Sequence, residues 1–148
     1  MGGVASGHAD GCVRFWDAST ATKVLEMPTM HQGQCTSVQY SPTDGYTLAS
    51  TGRDNAVRIL DSRVCAVVMN LTDPKYRVNY NWSNAEFSPD GENIVTGSGK
   101  EVFIWSVRGG KVERILKGHS DYVERVVWGS GERQVVSAGK DGSVIVWE

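Results

Sequence analysis

No apolar run in this 148-residue sequence approaches the roughly eighteen residues that a membrane-crossing helix requires, so no such helix is expected. The start, Met1-Gly2-Gly3-Val4, has neither the basic segment nor the apolar stretch of a signal peptide. Charge of one sign is scarce. With 15 Lys and Arg against 17 Asp and Glu the net charge is -2, which gives no overall electrostatic reason to expect direct binding to nucleic acid or to an acidic membrane. Cysteine is scarce too. Cys12, Cys35 and Cys65 are odd in number and lack metal-ligand spacing, which points to reduced thiols in a cytosolic setting, used as small apolar strand residues. No metal or cofactor is expected. Helical periodicity is missing as well. What is present, 40% hydrophobic and 22% charged residues, suffices for one modest domain with a core.

The pattern that fills the chain is clearest in residues 118–148. Gly118-His119 opens it, Tyr122-Val123-Glu124-Arg125-Val126-Val127-Trp128 is an apolar run, and Gly129-Ser130-Gly131-Glu132 is a turn. Gln134-Val135-Val136-Ser137-Ala138-Gly139 follows, then a turn at Lys140-Asp141-Gly142 and a last run, Ser143-Val144-Ile145-Val146-Trp147-Glu148. Short β-branched and aromatic runs separated by Gly, Asp and Ser read as an antiparallel meander. The segment recurs. Val13-Arg14-Phe15-Trp16-Asp17, Val57-Arg58-Ile59-Leu60-Asp61, Val102-Phe103-Ile104-Trp105-Ser106 and Val144-Ile145-Val146-Trp147-Glu148 align, and the column Trp16, Leu60, Trp105, Trp147 steps by 44, 45 and 42 residues. That is the period of a four-stranded WD40 propeller blade, a unit too small to bury its apolar face alone, so that neighbours must stack.

The expected fold is therefore all-β: a partial WD40 β-propeller of about three and a half antiparallel blades, in segments 4–27, 31–71, 81–116 and 118–148, with fourteen strands and no helix. The first blade starts at its second strand, 4–7, and continues with 13–17 and an outer strand, 23–27. The second is complete, at 35–40, 47–52, 56–61 and 66–71, with Pro42 and Gly45 suited to a tight hairpin. The third comprises 85–87, the turn Ser88-Pro89-Asp90-Gly91, 93–97, 101–106 and 112–116. The last has three strands. A blade without its innermost strand leaves an unpaired edge. The chain is accordingly read as the C-terminal half of a seven-bladed ring, completed by blades from upstream sequence or by a second copy.

His119, Ser137, Asp141 and Trp147 stand where WD40 blades carry a buried tetrad. The indole donates to the hydroxyl, the hydroxyl reaches the imidazole, and the imidazole meets the carboxylate, so each polar group is satisfied as it is buried. His31, Ser50 and Asp54 repeat three members, and Ser6, Asp10 and Trp16 repeat three in the first blade. Ser, His and Asp also invite a nucleophilic triad, but an active site needs one such cluster and a scaffold needs one per blade. There is also no strand-to-helix nucleophile elbow. No catalytic residue is assigned. In the third blade Thr96 and Trp105 remain, the turn Ser98-Gly99-Lys100 is one residue short and offers no Asp, and no His precedes Phe87 at the expected distance, so apolar packing is expected to hold it. Asp141→Asn is expected to cost more stability than Asp54→Asn. His8, in the turn between second and third strands, reads as a solvated residue.

One connection departs from minimal length: residues 72–82, carrying Asp73, Pro74, Lys75, Tyr76, Arg77, Tyr80 and Trp82. It links an outer strand to the next inner strand and so lies on the top face, where loops carry function more often than the strands beneath them. Tyr, Trp and Arg dominate interface energetics, which makes Lys75, Tyr76, Arg77 and Tyr80 partner-binding candidates. Tyr80 and Trp82 could instead pack over the missing tetrad of the third blade. Arg53 and Lys140 precede the tetrad aspartates, and Gln34 and Tyr122 begin inner strands. Together these residues suggest a mildly basic face suited to an acidic peptide.

Several strings are more distinctive. Ser6-Gly7-His8-Ala9-Asp10-Gly11-Cys12-Val13-Arg14-Phe15-Trp16-Asp17, Arg53-Asp54-Asn55-Ala56-Val57-Arg58-Ile59-Leu60-Asp61-Ser62-Arg63, the block from Asn81-Trp82-Ser83 through Phe87-Ser88-Pro89-Asp90-Gly91, and Ile104-Trp105-Ser106-Val107 with Gly110-Lys111-Val112-Glu113 follow one another in order. In these the chain resembles the C-terminal propeller of the autophagy-related protein 16 family. The short third-blade turn departs from that pattern. The resemblance implies a non-enzymatic scaffold that docks membrane-protein tails, ubiquitin or the proton-pumping ATPase and directs lipidation of the autophagy modifier. It also implies a cytoplasmic location with peripheral recruitment to autophagic or endolysosomal membranes. The alternative is a WD40 adaptor of another complex, such as a ubiquitin-ligase substrate receptor or an RNA or ribosome assembly.

Overall fold

Where β-branched and aromatic residues alternate the chain extends, and where Asp, Asn and Gly interrupt them it turns. The computed structural model describes residues 3–129 and 133–148. Ser130, Gly131 and Glu132 of the expected turn lie outside the described residues, as do Met1 and Gly2. The first sheet contains β1 (Gly3–Gly7), β2 (Val13–Asp17) and β3 (Thr22–Met27); the second β4 (Cys35–Tyr40), β5 (Thr47–Gly52), β6 (Ala56–Asp61) and β7 (Ala66–Leu71). The third contains β8 (Ala85–Phe87), β9 (Asn93–Ser98), β10 (Glu101–Ser106) and β11 (Lys111–Lys117); the fourth β12 (Val123–Trp128), β13 (Val135–Gly139) and β14 (Val144–Trp147). Each sheet is an antiparallel meander in chain order, and each expected strand is present to within one residue. No helix occurs among the described residues. This is the architecture of a partial propeller.

Among the described residues, three apolar clusters weld the four blades. Val13, Met27, Met30, Leu48 and Leu60 fill the space between the first and second sheets. Ile59, Leu71, Tyr76, Phe87, Phe103 and Trp105 belong to the cluster of the second and third. Val95, Val102, Val123, Val126 and Val135 join the third and fourth. Burial of this kind, at about 25 cal/mol per Å² of apolar surface, is what a single meander cannot achieve alone. Polar clamps add register. Asn84, in the third blade's inner segment, donates from Nδ2 to the Val126 carbonyl (2.8 Å) and accepts at Oδ1 from the Val126 N–H (3.2 Å). Gln39 Oε1 accepts from the Phe87 N–H (2.7 Å), tying the second blade's inner strand to the third's.

A shared irregularity marks the repeat. The pairing of third with outer strand slips immediately before the column residue at Phe15/Trp16, Ile59/Leu60 and Ile104/Trp105. Such a bulge bends the strand and increases its twist, and here it accompanies the inward Trp16, Leu60 and Trp105. The turns between second and third strands and the connections into each inner strand meet at one end of the molecule: His31 N–H bonds the Gly11 carbonyl, Arg53 N–H that of Gln34, Val123 N–H that of Gly99, and Lys140 N–H that of Tyr122. Gly99, at φ 57, closes the shortest of these turns, a position few other residues tolerate. Of the three cysteines expected in strands, Cys35 is buried in β4, Cys12 is buried in the turn before β2, and Cys65 is exposed, at positive φ in the turn before β7.

Candidate functional site

Each second strand presents a hydroxyl towards the column of large residues on the third strand, and what completes that pair differs from blade to blade. In the fourth blade Trp147 Nε1–H donates to Ser137 Oγ (2.8 Å), Ser137 Oγ–H meets His119 Nε2 (2.7 Å), and His119 Nδ1–H lies 3.1 Å from Asp141 Oδ2. Asp141 also accepts from the N–H groups of Ser120 (2.8 Å) and Ser143 (2.9 Å) and from Ser143 Oγ (2.6 Å). Hydrogen bonds from Ser143, then from Ser120 and His119, hold its carboxyl well below the usual carboxylate range. Gly139 is required beside this chain, because a Cβ there would collide with the His119 ring.

The second blade builds the same relay without an indole. Ser50 Oγ lies 2.9 Å from His31 Nε2, and His31 Nδ1 lies 2.8 Å from Asp54 Oδ1. Arg58 enters from β6, with Nη1 2.8 Å from Asp54 Oδ2 and against His31 Nδ1. Burial, helped by the Arg58 charge, pushes the His31 pKa down despite its bond to Asp54. Burial alone would raise Asp54, but the bonds from His31, the Gln32 N–H and Arg58 outweigh it and hold that carboxyl low. Leu60, fully buried, occupies the indole position with apolar packing.

In the first blade Trp16 Nε1–H donates to Ser6 Oγ (2.7 Å), and Ser6 Oγ lies 2.8 Å from Nε2 of His8. His8 is thus not a solvated turn residue. It is half-buried and folds back from the turn into hydrogen-bond contact with the hydroxyl two residues before it. Asp10, expected to join the tetrad, is instead exposed and faces Arg14 Nη2 (2.6 Å). With the imidazole coming from the turn itself, the carboxylate finds its partner in the neighbouring guanidinium, which holds its carboxyl well below the usual range.

The third blade departs furthest. Trp105 Nε1–H donates to Thr96 Oγ1 (2.9 Å), and beside them stands Tyr76, fully buried, edge-on to Trp105 (centroids 5.1 Å apart, 88°) and to Phe103 (5.6 Å, 63°). Its hydroxyl faces Thr96 without reaching hydrogen-bond geometry, and burial raises its pKa. Tyr76 is therefore not a partner-binding residue. The long connection dips at this point to fill the space left by the absent histidine, so the packing expected of Tyr80 and Trp82 is done by Tyr76. Only the volume of the cavity could reveal this, since Tyr76 and Tyr80 are equivalent in composition and lie four residues apart.

The remaining candidates stay at the loop-bearing end. Lys75, Arg77, Arg53 and Lys140 are exposed, Tyr80 and Gln34 are half-buried, and Tyr122 is 39% exposed. Tyr80 stacks on Trp82 (4.7 Å, 9°) and meets Tyr122 edge-on (5.8 Å), leaving Trp82 54% exposed. Lys75, Arg77, Asn79, Ser98, Lys100 and Tyr122 line a groove of about 420 Å³. Lys100, missed in the sequence because it lies in the shortened turn, thus joins the basic group. Gln34 is engaged through its carbonyl with the Arg53 N–H and does not line this groove.

The family described as WD domain, G-beta repeat matches residues 22–61, 78–106 and 110–148. The chain is 36% identical to Protein tipD of Dictyostelium discoideum, over 98% of this chain and 24% of that protein. It is 33% identical to Autophagy-related protein 16 of Arabidopsis thaliana, over 97% of this chain and 28% of that protein, and 32% identical to Protein Atg16l2 of mouse, over 97% and 23%. The chain spans about a quarter of the length of these curated relatives. The resemblance read from the sequence thus extends over nearly the whole chain.

Proposed function

The chain belongs to the WD40 repeat family, and from that premise we propose that it is a non-enzymatic protein–protein interaction scaffold. In this reading it is the propeller of an autophagy-related protein 16-like factor that docks partners and so directs lipidation of the autophagy modifier. The observation that carries the reading is the contrast between its two sets of polar residues. Ser50 and Ser137, the hydroxyls a triad would need as nucleophiles, are 0% exposed and bonded within their blades, Ser50 to His31 and Ser137 to both His119 and Trp147. No substrate reaches them. Exposed aromatic and basic side chains, among them Trp82, Tyr122, Lys75, Lys100 and Lys140, instead stand at the loop-bearing end, the composition of a docking surface. Similarity to proteins named for autophagy supports the pathway, and in this reading the chain is recruited from the cytoplasm to autophagic or endolysosomal membranes.

The test is to delete this segment from its gene and measure the lipidated fraction of the autophagy modifier by gel mobility. A fall in lipidation on stimulated membranes supports the assignment. Unchanged lipidation under every stimulus assigns the scaffold to another complex.

A further inference from the structure

We propose that the groove lined by Lys75, Arg77, Lys100 and Tyr122 docks an acidic, extended segment of a partner protein. This rests on the scaffold reading and names the chemistry of what the scaffold takes. The groove is assembled from three parts of the chain, which meet through bonds that fix its floor. Asn79 Oδ1 accepts from the Gly99 N–H (2.7 Å), Ser98 Oγ from the Arg77 N–H (2.7 Å), and the Gly99 carbonyl from the Val123 N–H (2.7 Å). A floor held this way is in place before a ligand arrives, which lowers the ordering cost of binding.

Its charge is one-sided. Among the described residues no carboxylate forms an ion pair with Lys75, Arg77 or Lys100. The one carboxylate in the lining, Glu101, lies 3.3 Å from Lys117 Nζ. Arg53, whose Nη1 donates to the Val78 carbonyl, and Lys140, whose N–H donates to that of Tyr122, extend the basic rim. Such a concentration on a chain of net charge -2 is local, and it attracts carboxylates without making the whole molecule sticky.

The aromatic part of the lining is Tyr122. It meets Tyr80 edge-on, and Tyr80 stacks on Trp82 outside the groove, so the Tyr122 ring is already ordered, and an exposed Tyr held in this way makes an effective anchor. A groove lined by three basic side chains and a tyrosine suits a peptide bearing carboxylates beside an apolar side chain. A membrane surface would call for a broad, flat basic face.

The experiment uses the full 148-residue chain and a short fluorescein-labelled peptide of Asp and Glu with a central Trp, followed by anisotropy at low ionic strength. Lys75→Glu, Arg77→Glu and Lys100→Glu together are expected to weaken binding at least about tenfold, and Tyr122→Ala about threefold. Lys111→Glu, exposed on β11 and absent from the groove lining, should change it less than about twofold. If the triple variant melts early, Lys75→Gln with Lys100→Gln, both at exposed positions, carries the same test with a loss of about fivefold. Equal losses at Lys111 and in the groove, no saturable binding, or vesicles of phosphatidylserine that displace the peptide from the parent chain would each overturn the proposal. Proximity labelling in cells separates this from the scaffold reading. A triple variant that labels the same proteins as the parent removes the groove and leaves the scaffold, whereas a parent chain that labels nothing beyond background removes the scaffold.

Discussion

In the fourth blade a relay of hydrogen bonds from Trp147 through Ser137 and His119 to Asp141 fills the space between the sheet and the connection entering it, while in the third blade Tyr76 is the ring beside Trp105 and Thr96. A buried polar relay stabilises only when every member is satisfied, because each orphaned group costs about 1–3 kcal/mol. Without an aspartate in the turn Ser98-Gly99-Lys100, a histidine there would have no carboxylate to orient it. An aromatic plug meets the same need for filled volume with a single buried hydroxyl left over. The second blade lies between these two, with a relay that has lost its indole but gained Arg58.

The comparison breaks most sharply at Tyr76. Tyr76→Ala should cost about 3–5 kcal/mol in urea denaturation, the range for removing a large buried ring. Tyr76→Phe should stay within about 1 kcal/mol of the parent, since the hydroxyl has no hydrogen-bond partner. If Phe proved as costly as Ala, the plug would be a polar member of the blade after all.

Next come the two relay carboxylates. Asp54→Asn leaves the Arg58 guanidinium without its counter-charge, whereas Asp141→Asn leaves only neutral donors and an imidazole. The geometry therefore reverses the order expected from the sequence, and Asp54→Asn should melt at the lower temperature. A lower midpoint for Asp141→Asn would show that completeness of the tetrad outweighs the ion pair.

Acid should then separate the second blade from the third. His31 is held below its ordinary value of 6.5, so the unfolded chain takes up this proton first as the pH falls. The stability due to neutral His31 is present above about 6.5 and declines as the pH drops from there towards the folded value. Asp54, lowered from 3.8, adds stability that is lost only at still lower pH. Denaturation midpoints at about pH 7.5 and pH 5.5 should differ for the parent, and less so for His31→Gln. An identical slope in both would remove His31 as the cause. The smallest effect belongs to His8→Ala, which removes one half-buried bond to Ser6 and should cost about 1 kcal/mol or less in the same assay.

The strands, their number and the blade repeat were legible in the sequence, because alternation, β-branching and turn residues act over a few neighbours, and the column Trp16, Leu60, Trp105, Trp147 is a periodic signal. The relays at Ser50 and Ser137 were legible for the same reason, since their members keep nearly the same spacings. Tyr76, His8 and Asp10 were not. Which tyrosine of the long connection is swallowed depends on a cavity formed by Trp105, Phe103 and the second blade. Whether Asp10 meets a histidine or Arg14 depends on where the turn carries His8. The basic groove is likewise assembled from three separate parts of the chain, and Lys100 joins it only because the turn after β9 is short. Local periodicity thus determined the elements and their order by itself. The identity of the group that fills each blade, and of the side chains left free to meet a partner, was decided by tertiary structure, because packed volume and paired charge are properties of neighbours brought together from distant positions.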